Sequence, residues 1–204
     1  LLPQTVLHHI NDLFFRERQP WRLGLVKLDC GPIVVAHLHE AARQRVRVQA
    51  MLDRAGQAVI VALPDKDGLP MAEDRQLREF TCDPKFRKVL ITDGKTRLGQ
   101  ELVRSFAKAG ADLIWVGHAE PWKQFSGFSD LEKIPQVTLL PLHLTDSKNV
   151  KQAAAEIGAK VDIVVNNAEV HRAFGIGNRA GVETARAEMD VNYFGLLRLA
   201  QELG

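Results

Sequence analysis

The adjacent amides Asn166 and Asn167 are the residues whose type and position most clearly suggest chemistry. They follow the apolar run Ile163 to Val165, a pattern typical of a parallel strand that is buried on both faces. Ligands of open α/β sheets bind outside the carboxyl ends of the strands, so these amides are candidate ligand contacts. An ordinary Asn-rich turn after a strand is the alternative interpretation.

A second polar loop follows another apolar strand, Lys88 to Thr92. The loop covers residues 93–99, with the sequence DGKTRLG, and leads into a run of apolar residues at helical spacing. We predict that the two strands lie side by side and parallel, so that Arg97 and Asn167 meet above their ends. Part of this loop resembles the phosphate loop of nucleoside triphosphatases, but that motif needs a glycine where this chain has Val89.

Strands alternate with amphipathic helices through the rest of this half of the chain. Further strands are predicted at 111–117 and 137–141, and a helix between Ser147 and Gly158. This alternation predicts the α/β fold class, with a parallel sheet and right-handed crossovers.

The first 64 residues have a different pattern. Alternating apolar and polar residues predict strands at 21–28, 33–39, 45–52 and 57–63, with turn residues between them. Short strands with regular turns predict a small antiparallel β-barrel or sandwich. Residues 64–84 are typical of a linker, with a short helix near Glu73 to Glu79.

From about Phe86 onward the chain resembles the short-chain dehydrogenase/reductase family. The resemblance rests on four segments in the family's order: 92–99, 142–146 (LHLTD), 166–168 (NNA) and 190–195 (DVNYFG). It implies an incomplete, doubly wound parallel Rossmann sheet and an NAD(P)-dependent oxidoreductase that interconverts a hydroxyl and a carbonyl, possibly on an acyl-CoA or lipid-derived substrate.

The resemblance also implies roles for individual residues. In the family, the first loop holds the cofactor pyrophosphate with backbone amides at a helix N-terminus. Asn192 matches a member of the family's catalytic group. The positions that match the cofactor groove are Thr92, Asp93, Arg97, Leu98, Gly99, His118, His143, Asn166, Asn167 and Ala168.

Four positions depart from the family's pattern. Asp93 and Arg97 replace the first two glycines of the loop, His143 replaces an acidic adenine contact, and Glu169 replaces the glycine after Asn-Asn-Ala. A carboxylate at Asp93 would repel a pyrophosphate, which Arg97 could offset by pairing with a phosphate. These changes support an alternative interpretation, a catalytically inactive Rossmann scaffold that partners an acyl-CoA enzyme such as a thiolase.

The end of the second strand bears on cofactor choice. NAD-specific members carry an Asp there to bind the ribose 2′-hydroxyl, whereas this chain has Gly117 and His118. A partly protonated His118 tolerates a 2′-phosphate, so we expect NADP rather than NAD.

The family's reaction centre consists of a Ser, a Tyr and a Lys four residues after the Tyr. The only tyrosine, Tyr193, precedes Leu197 by four residues, and every serine lies before Asn166. We therefore expect this chain alone to be inactive. Because residue 1 is Leu, we also expect both ends to be cut from a longer parent that carries these groups beyond Gly204.

Residues 20–64 resemble the OB-fold half of zinc-ribbon/OB-fold proteins that accompany thiolases and acyl-CoA enzymes. The similarity lies in 21–28, in Gly31 and Pro32, and in the 45–64 hairpin, and it implies a docking partner for an acyl-CoA enzyme. Only two cysteines, Cys30 and Cys82, are present, too few for a zinc ribbon. The expected domains are an OB-like module at 1–64, a linker at 65–85 and part of a Rossmann domain at 86–204.

The first module admits two other interpretations. The basic strand residues Arg43, Arg45 and Arg47 could bind single-stranded nucleic acid, but no aromatic residue lies between Arg22 and Glu79 to stack with bases, which favours a solvated strand face. Alternating histidines at 37 and 39 could begin a metal site. No third ligand is apparent, so structural or surface roles are favoured there, as at residues 8 and 9.

Composition is consistent with two domains. The chain has 204 residues, 46% of them hydrophobic, and a net charge of +2, which gives no indication of nucleic-acid or membrane partners. Two distant cysteines and the lack of a signal peptide suggest a cytoplasmic protein. Apolar residues at helical spacing between Tyr193 and Leu199 predict a homo-oligomer.

Overall fold

The computed structural model describes residues 1–9, 20–52, 56–65, 71–74, 76–158, 161–172, 175 and 177–203. The turn predicted at 53–56 and the predicted linker therefore lie partly outside the described residues. The chain forms two compact units, Leu1–Cys82 and Asp83–Gly204. Each unit is described by itself.

The first unit is built on a five-stranded sheet in the order β1-β2-β3-β5-β4. Its strands are β1 (Gln4–Leu7), β2 (Trp21–Lys27), β3 (Ile33–Leu38), β4 (Val46–Leu52) and β5 (Ala58–Pro64). Strand β1 was not predicted.

The prediction that this sheet is antiparallel throughout was wrong at one pair of strands. β3 and β5 run parallel, through the partners His37 with Val61 and Leu38 with Ala62. The β4–β5 hairpin turns β5 back along β3, and the alternating pattern that predicts each strand carries no information about such pairing. Across the described strands, no pairing joins β1 to β4, so an open mixed sheet is seen instead of the expected closed barrel.

A 3₁₀ helix at Leu77–Phe80 covers part of one face of this sheet. Leu77 is only 1% exposed and packs with Met51, Val61 and Leu63. The Asp74 carboxylate accepts hydrogen bonds from the backbone of residues 76 and 77 and lies 2.9 Å from His39 Nε2. Residues 71–82, which the sequence assigned to a linker, therefore belong to the first unit.

The alternating histidines at 37, in β3, and at 39, just after it, serve structure in this unit. Trp21 Nε1 donates to His37 Nδ1 at 2.6 Å, and His39 contacts Asp74. Among the described residues, no group of three or more His, Cys, Asp or Glu side chains is arranged to hold a metal ion.

The second unit contains a four-stranded parallel sheet in the order β8-β7-β6-β9, which confirms the predicted parallel pairing. Its strands are β6 (Lys88–Ile91), β7 (Leu113–His118), β8 (Val137–Pro141) and β9 (Ile163–Val165). Its helices are α1 (Arg97–Lys108), α2 (Phe128–Glu132), α3 (Ser147–Ile157), α4 (Gly181–Met189), a π-helical segment (Asp190–Gly195) and α5 (Leu196–Leu203).

Strand β6 lies at the point where the chain changes direction across the sheet. The chain passes from β6 to β7 and β8, then returns to β9 on the other side of β6. Val89, Leu90 and Ile91 are fully buried because apolar clusters cover both faces of the sheet. A topological switch point of this kind opens a crevice at the carboxyl ends of the strands, where ligands bind.

Local sequence signals set the ends of the helices. Thr96 Oγ1 accepts a hydrogen bond from Gly99 N at 3.1 Å and caps α1, while the Asp146 carboxylate caps α3 through Lys148 N at 2.9 Å. Gly158 ends α3 in the left-handed conformation, with φ of 54°.

The terminal helical segments pack against the loop after β8. Arg198 donates to Leu144 O at 3.1 Å and to the Asp190 carboxylate at 2.6 Å. A Cβ added at Gly195 would lie 2.8 Å from Leu144 Cβ, so this helix approaches the loop closely. No helix within the described ranges has the length and apolarity needed to cross a lipid bilayer.

Candidate functional site

A cavity of about 590 Å³ opens at the carboxyl ends of the parallel strands of the second unit. Loops that follow β6, β7, β8 and β9 all contribute to its wall. Five of the ten residues predicted for the cofactor groove line it: Thr92, Asp93, His118, His143 and Ala168.

Thr92 joins the ends of the two central strands. Its N–H donates to Val165 O at 3.0 Å, and its Oγ1 accepts from Asn167 N at 3.0 Å and from Ala168 N at 2.9 Å. Thr92 is buried, so these bonds are protected from water. The β9 loop is thereby held against the end of β6.

The Asn167 side chain binds the loop after β6. Its Oδ1 accepts from Asp93 N at 3.0 Å and its Nδ2 donates to Asp93 O at 2.7 Å. Asn166 is exposed and has one long contact, 3.4 Å, to Thr92 Oγ1. Neither amide lines the cavity, and within the described part of the chain no hydrogen bond joins Asn167 to Arg97.

The loop after β6 is tightly folded. Gly94 N donates to Gly117 O at 2.9 Å, and a Cβ at Gly94 would meet Val116 Cγ1 at 2.2 Å. A Cβ at Gly99 would meet Asp93 O at 2.0 Å. The predicted contacts Arg97 and Leu98 are exposed on the first turn of α1, outside the cavity wall.

The Asp93 carboxylate turns back onto its own loop. Its Oδ1 accepts from Lys95 N at 2.8 Å. Partial burial raises the pKa of Asp93. The hydrogen bond from Lys95 N, the charge of Lys95 and, where its ring is protonated, the charge of His118 oppose that rise. Keeping the partly buried carboxylate charged therefore costs free energy, and the hydrogen bond from the backbone amide of Lys95 offsets part of that cost.

Lys95 and Glu120 form an ion pair at the cavity wall that the sequence did not predict. Lys95 Nζ lies 2.8 Å from Glu120 Oε2. The hydrogen bond with Glu120 raises the pKa of Lys95, and the same bond lowers the pKa of Glu120. The similarity of residues 94–96 to a phosphate loop was the available signal for Lys95.

His118 lies in a buried aromatic cluster at the end of β7. Its ring is 5.9 Å from that of Phe128, edge to face, and 6.2 Å from that of Phe125. Only 6% of its surface is exposed, and its Nδ1 has no hydrogen-bond partner among the described residues. Burial lowers the pKa of His118. A hydrogen bond with the backbone of Glu120 and the charge of Asp93 raise it, but by less. The ring is therefore neutral near pH 7.

His143 is an exposed part of the wall. Its backbone N–H donates to Asn149 Oδ1 at 2.6 Å, and its ring Nδ1 lies 2.9 Å from Thr145 Oγ1. Glu169, which replaces a family glycine, also lines the cavity. The wall after β8 and β9 is therefore polar where the sequence departs from the family.

Asn192 holds the loop after β9 instead of pointing into the cavity. Its Oδ1 accepts from Val170 N at 2.9 Å and its Nδ2 donates to Val170 O at 2.8 Å. Val170 lines the cavity, and so does Val191, the residue just before Asn192. The structure thus gives Asn192 a positioning contact two residues beyond Ala168.

A larger cavity of about 790 Å³ lies along α4 and the π-helical segment. Its wall is mostly apolar, and it includes Val182, Met189 and Phe194. None of the predicted site residues lines it. The smaller cavity at the strand ends is therefore the candidate site, because the polar and titratable groups converge there.

Comparison with known proteins agrees with this geometry. A family model described as short chain dehydrogenase matches residues 87–203, and one described as "ChsH2, C-terminal OB-fold domain" matches residues 4–59. Dehydrogenase/reductase SDR family member 7C of Mus musculus is 32% identical over 123 residues, which cover 56% of this chain and 39% of that protein. The short chain dehydrogenase pigC of Monascus ruber is 37% identical over 103 residues, covering 46% and 34%.

Solved structures show the same fold. A short chain dehydrogenase from Burkholderia cenocepacia in complex with NADP aligns with a TM-score of 0.51 and 27% identity, covering 59% of this chain and 48% of that one. NADPH-bound carbonyl reductase from chicken fatty liver aligns with a TM-score of 0.53 and 24% identity, covering 58% and 50%. The chain spans less than half the length of the curated relatives named above.

The short chain dehydrogenase model covers more than half of the chain, and its match coincides with the parallel sheet and the cavity. The chain therefore belongs to the short-chain dehydrogenase/reductase family, and residues 4–59 before that part match an OB-fold domain.

Proposed function

We propose that the second unit is the dinucleotide-binding part of an NAD(P)-dependent oxidoreductase that interconverts a hydroxyl and a carbonyl group. The observation that carries this proposal is the cavity at the topological switch point beside β6. Membership of the family supports it, and so does the relative from Burkholderia cenocepacia, which is in complex with NADP.

The shape of the loop after β6 fits a dinucleotide. Gly94 and Gly99 leave no room for side chains, and the loop amides lie at the N-terminus of α1, where phosphates bind. The buried Nδ1 of His118, at the cavity wall, has no partner in the described part of the chain. A bound nicotinamide ring supplies the hydride donor or acceptor, while the chain's own residues bind and orient the ligand.

Three groups of residues have distinct roles in this proposal. Lys95 and the amides of the loop bind the phosphates, His118 and Lys123 contact the ribose end, and His143 contacts the base. Thr92, Asn166, Asn167 and Ala168 keep the crevice open, Gly99 lets α1 start close to Asp93, and Arg97 and Leu98 border the loop. Asn192 serves the catalytic group by fixing the backbone of Val170.

We propose NADP as the cofactor in preference to NAD. His118 carries no negative charge, and Lys123 adds a cation to the same wall, so a 2′-phosphate meets no carboxylate from this strand end. The substrate class, possibly an acyl-CoA or lipid-derived compound, rests on the OB-fold resemblance alone. The same resemblance underlies a proposed acyl-CoA enzyme as partner of the first unit.

The exposed apolar residues of the last helices support a homo-oligomer. Tyr193, Phe194, Leu196 and Leu197 are all exposed, whereas Leu199 is buried. Apolar surface of this kind favours association.

A second candidate function is a scaffold that has lost cofactor binding. The observation that favours it is the Asp93 carboxylate, which accepts a hydrogen bond from the backbone amide of Lys95 inside the loop. The Glu120 carboxylate forms an ion pair with the ammonium group of the same lysine. A scaffold of this type would partner an acyl-CoA enzyme such as a thiolase without turning over substrate itself.

Titration of the intact chain with NADPH and NADH, followed by cofactor fluorescence, separates the two functions. The oxidoreductase proposal expects binding, with NADPH bound more tightly than NADH. His118→Asp should weaken NADPH binding by about tenfold, because a carboxylate would face the 2′-phosphate. No binding of either cofactor at millimolar concentration would favour the scaffold.

A further inference from the structure

Both anion-binding groups of Lys95 are occupied by carboxylates of this chain. Its backbone N–H donates to Asp93 Oδ1 at 2.8 Å, and its Nζ lies 2.8 Å from Glu120 Oε2. The two carboxylates come from different strand ends, because Asp93 follows β6 and Glu120 follows β7. They converge on one residue at the cavity wall.

The surroundings of Lys95 are suited to an anionic ligand. Lys95 lies in the loop just before the 12-residue helix α1, whose N-terminal amides favour negative charge. The buried residue His118 belongs to the same wall, and its Nδ1 lacks a partner among the described residues. Lys95 and His118 thus belong to the wall of one cavity, next to the N-terminus of α1.

We propose that Asp93 and Glu120 are internal competitors at an anion site centred on Lys95, and that a phosphate of the dinucleotide binds there by displacing them. This inference rests on the proposed function, since it identifies how the same cavity regulates its ligand. Asp93 and Glu120 are then specificity-determining residues that lower the affinity for phosphorylated ligands.

The charges around the cavity explain why displacement is needed. The wall carries two ammonium groups, Lys95 and Lys123, and three carboxylates, Asp93, Glu120 and Glu169, while His118 and His143 are its two imidazoles. The carboxylates therefore outnumber the ammonium groups. An anion that left both carboxylates in place would therefore meet net repulsion.

The two carboxylates can leave by different routes. The Glu120 side chain is 38% exposed, so it can rotate into water after releasing Lys95. Asp93 is more enclosed, and burial raises its pKa, so protonation is the easier route for this group. Affinity for an anionic ligand should therefore increase as the pH falls through the raised pKa of Asp93.

The test measures NADPH affinity of the intact chain by fluorescence for Asp93→Asn, Glu120→Gln and a control. Asp93→Asn keeps an oxygen acceptor for Lys95 N and removes the charge. Glu101→Gln is the matched control, because Glu101 forms an exposed ion pair with Arg104 on α1, at 2.6 Å, away from the cavity wall. Thermal unfolding of each variant checks that the fold is retained.

We expect each cavity substitution to tighten NADPH binding by about fivefold, whereas the control changes it by less than about twofold. Wild-type affinity should also rise as the pH falls through the raised pKa of Asp93, and Asp93→Asn should lose part of that dependence. If the wild type binds NADPH and neither cavity variant binds more tightly than the control, the inference is overturned and the proposed function stands. If neither the wild type nor any variant binds NADPH, including the double variant Asp93→Asn/Glu120→Gln, both the inference and the proposed function are overturned.

Discussion

At the scale of single residues, the candidate site is organised by side chains that bind backbone. Thr92, Asn167 and Asn192 each use their polar atoms to fix a neighbouring loop, and none of these contacts requires a ligand. The sequence placed these polar residues at the strand ends, but it did not indicate their partners. Asn167 and Asp93 are 74 residues apart, and only the parallel pairing of β6 with β9 brings them together.

Replacing Asn167 with Ala should lower the free energy of unfolding by about 1 to 3 kcal/mol, because it leaves the N–H and the carbonyl of Asp93 without their partner. Urea denaturation of the intact chain measures this change. Asn166→Ala is the matched control, since Asn166 is exposed and its one hydrogen bond within the described ranges is the 3.4 Å contact to Thr92. Equal losses in the two variants would contradict the bridging role of Asn167.

The Lys95–Glu120 pair shows what sequence reasoning lacked at this scale. The two residues are 25 positions apart in loops that follow different strands. Nothing in the residue types specifies that these loops fold toward each other, because their conformations depend on close contacts such as Gly94 N with Gly117 O. The charged wall of the cavity therefore emerged only from the structure.

At the scale of elements, the second unit was predictable in outline. Runs such as Val89 to Ile91 are buried on both faces, and β-branched or apolar runs of this length are typical of central parallel strands. Gly158 gave the end of α3 through its capping chemistry, whereas the N-caps Thr96 and Asp146 were identified from the structure. The β3–β5 pairing in the first unit was not predictable in this way, because it depends on contacts between strands separated by β4.

Gly99→Ala distinguishes local helix propensity from packing. Alanine in a helix is favoured over glycine by about 1 kcal/mol, so propensity alone predicts stabilisation. The new Cβ, however, would lie 2.0 Å from Asp93 O, and we expect a net loss of at least about 2 kcal/mol. Chemical denaturation gives the sign directly, and Gly177→Ala, with open space around its Cβ, is the control. A more stable Gly99→Ala protein would show that the loop relaxes freely.

At the scale of the whole molecule, each unit has its own apolar core. Val26, Leu38 and Ala62 belong to a cluster of the first unit, and Leu90 and Val116 to clusters of the second. Because the two cores are separated at Cys82, we expect each unit to be able to fold by itself.

We expect a fragment of residues 1–82 to fold cooperatively, whereas a fragment of residues 1–64 should be markedly less stable. The shorter fragment loses Leu77 from its cluster and loses the Asp74 partner of His39. Removing a buried leucine alone costs about 2 to 5 kcal/mol. Thermal unfolding followed by circular dichroism compares the two fragments. Equal melting temperatures would show that residues 71–82 add no stability to the first unit.

The π-helical segment at 190–195 holds one residue more per turn than an α-helix, so loss of one residue there can be absorbed by its conversion to α-helix. Deleting one residue at the start of α5 would instead rotate everything after it by about 100° around the helix axis. Leu199 would turn from the core toward water, and Arg198 would lose the carbonyl of Leu144. Evolutionary insertions and deletions should therefore be rare within α5, and single-residue changes of length should concentrate in the π-helical segment and the surface connections.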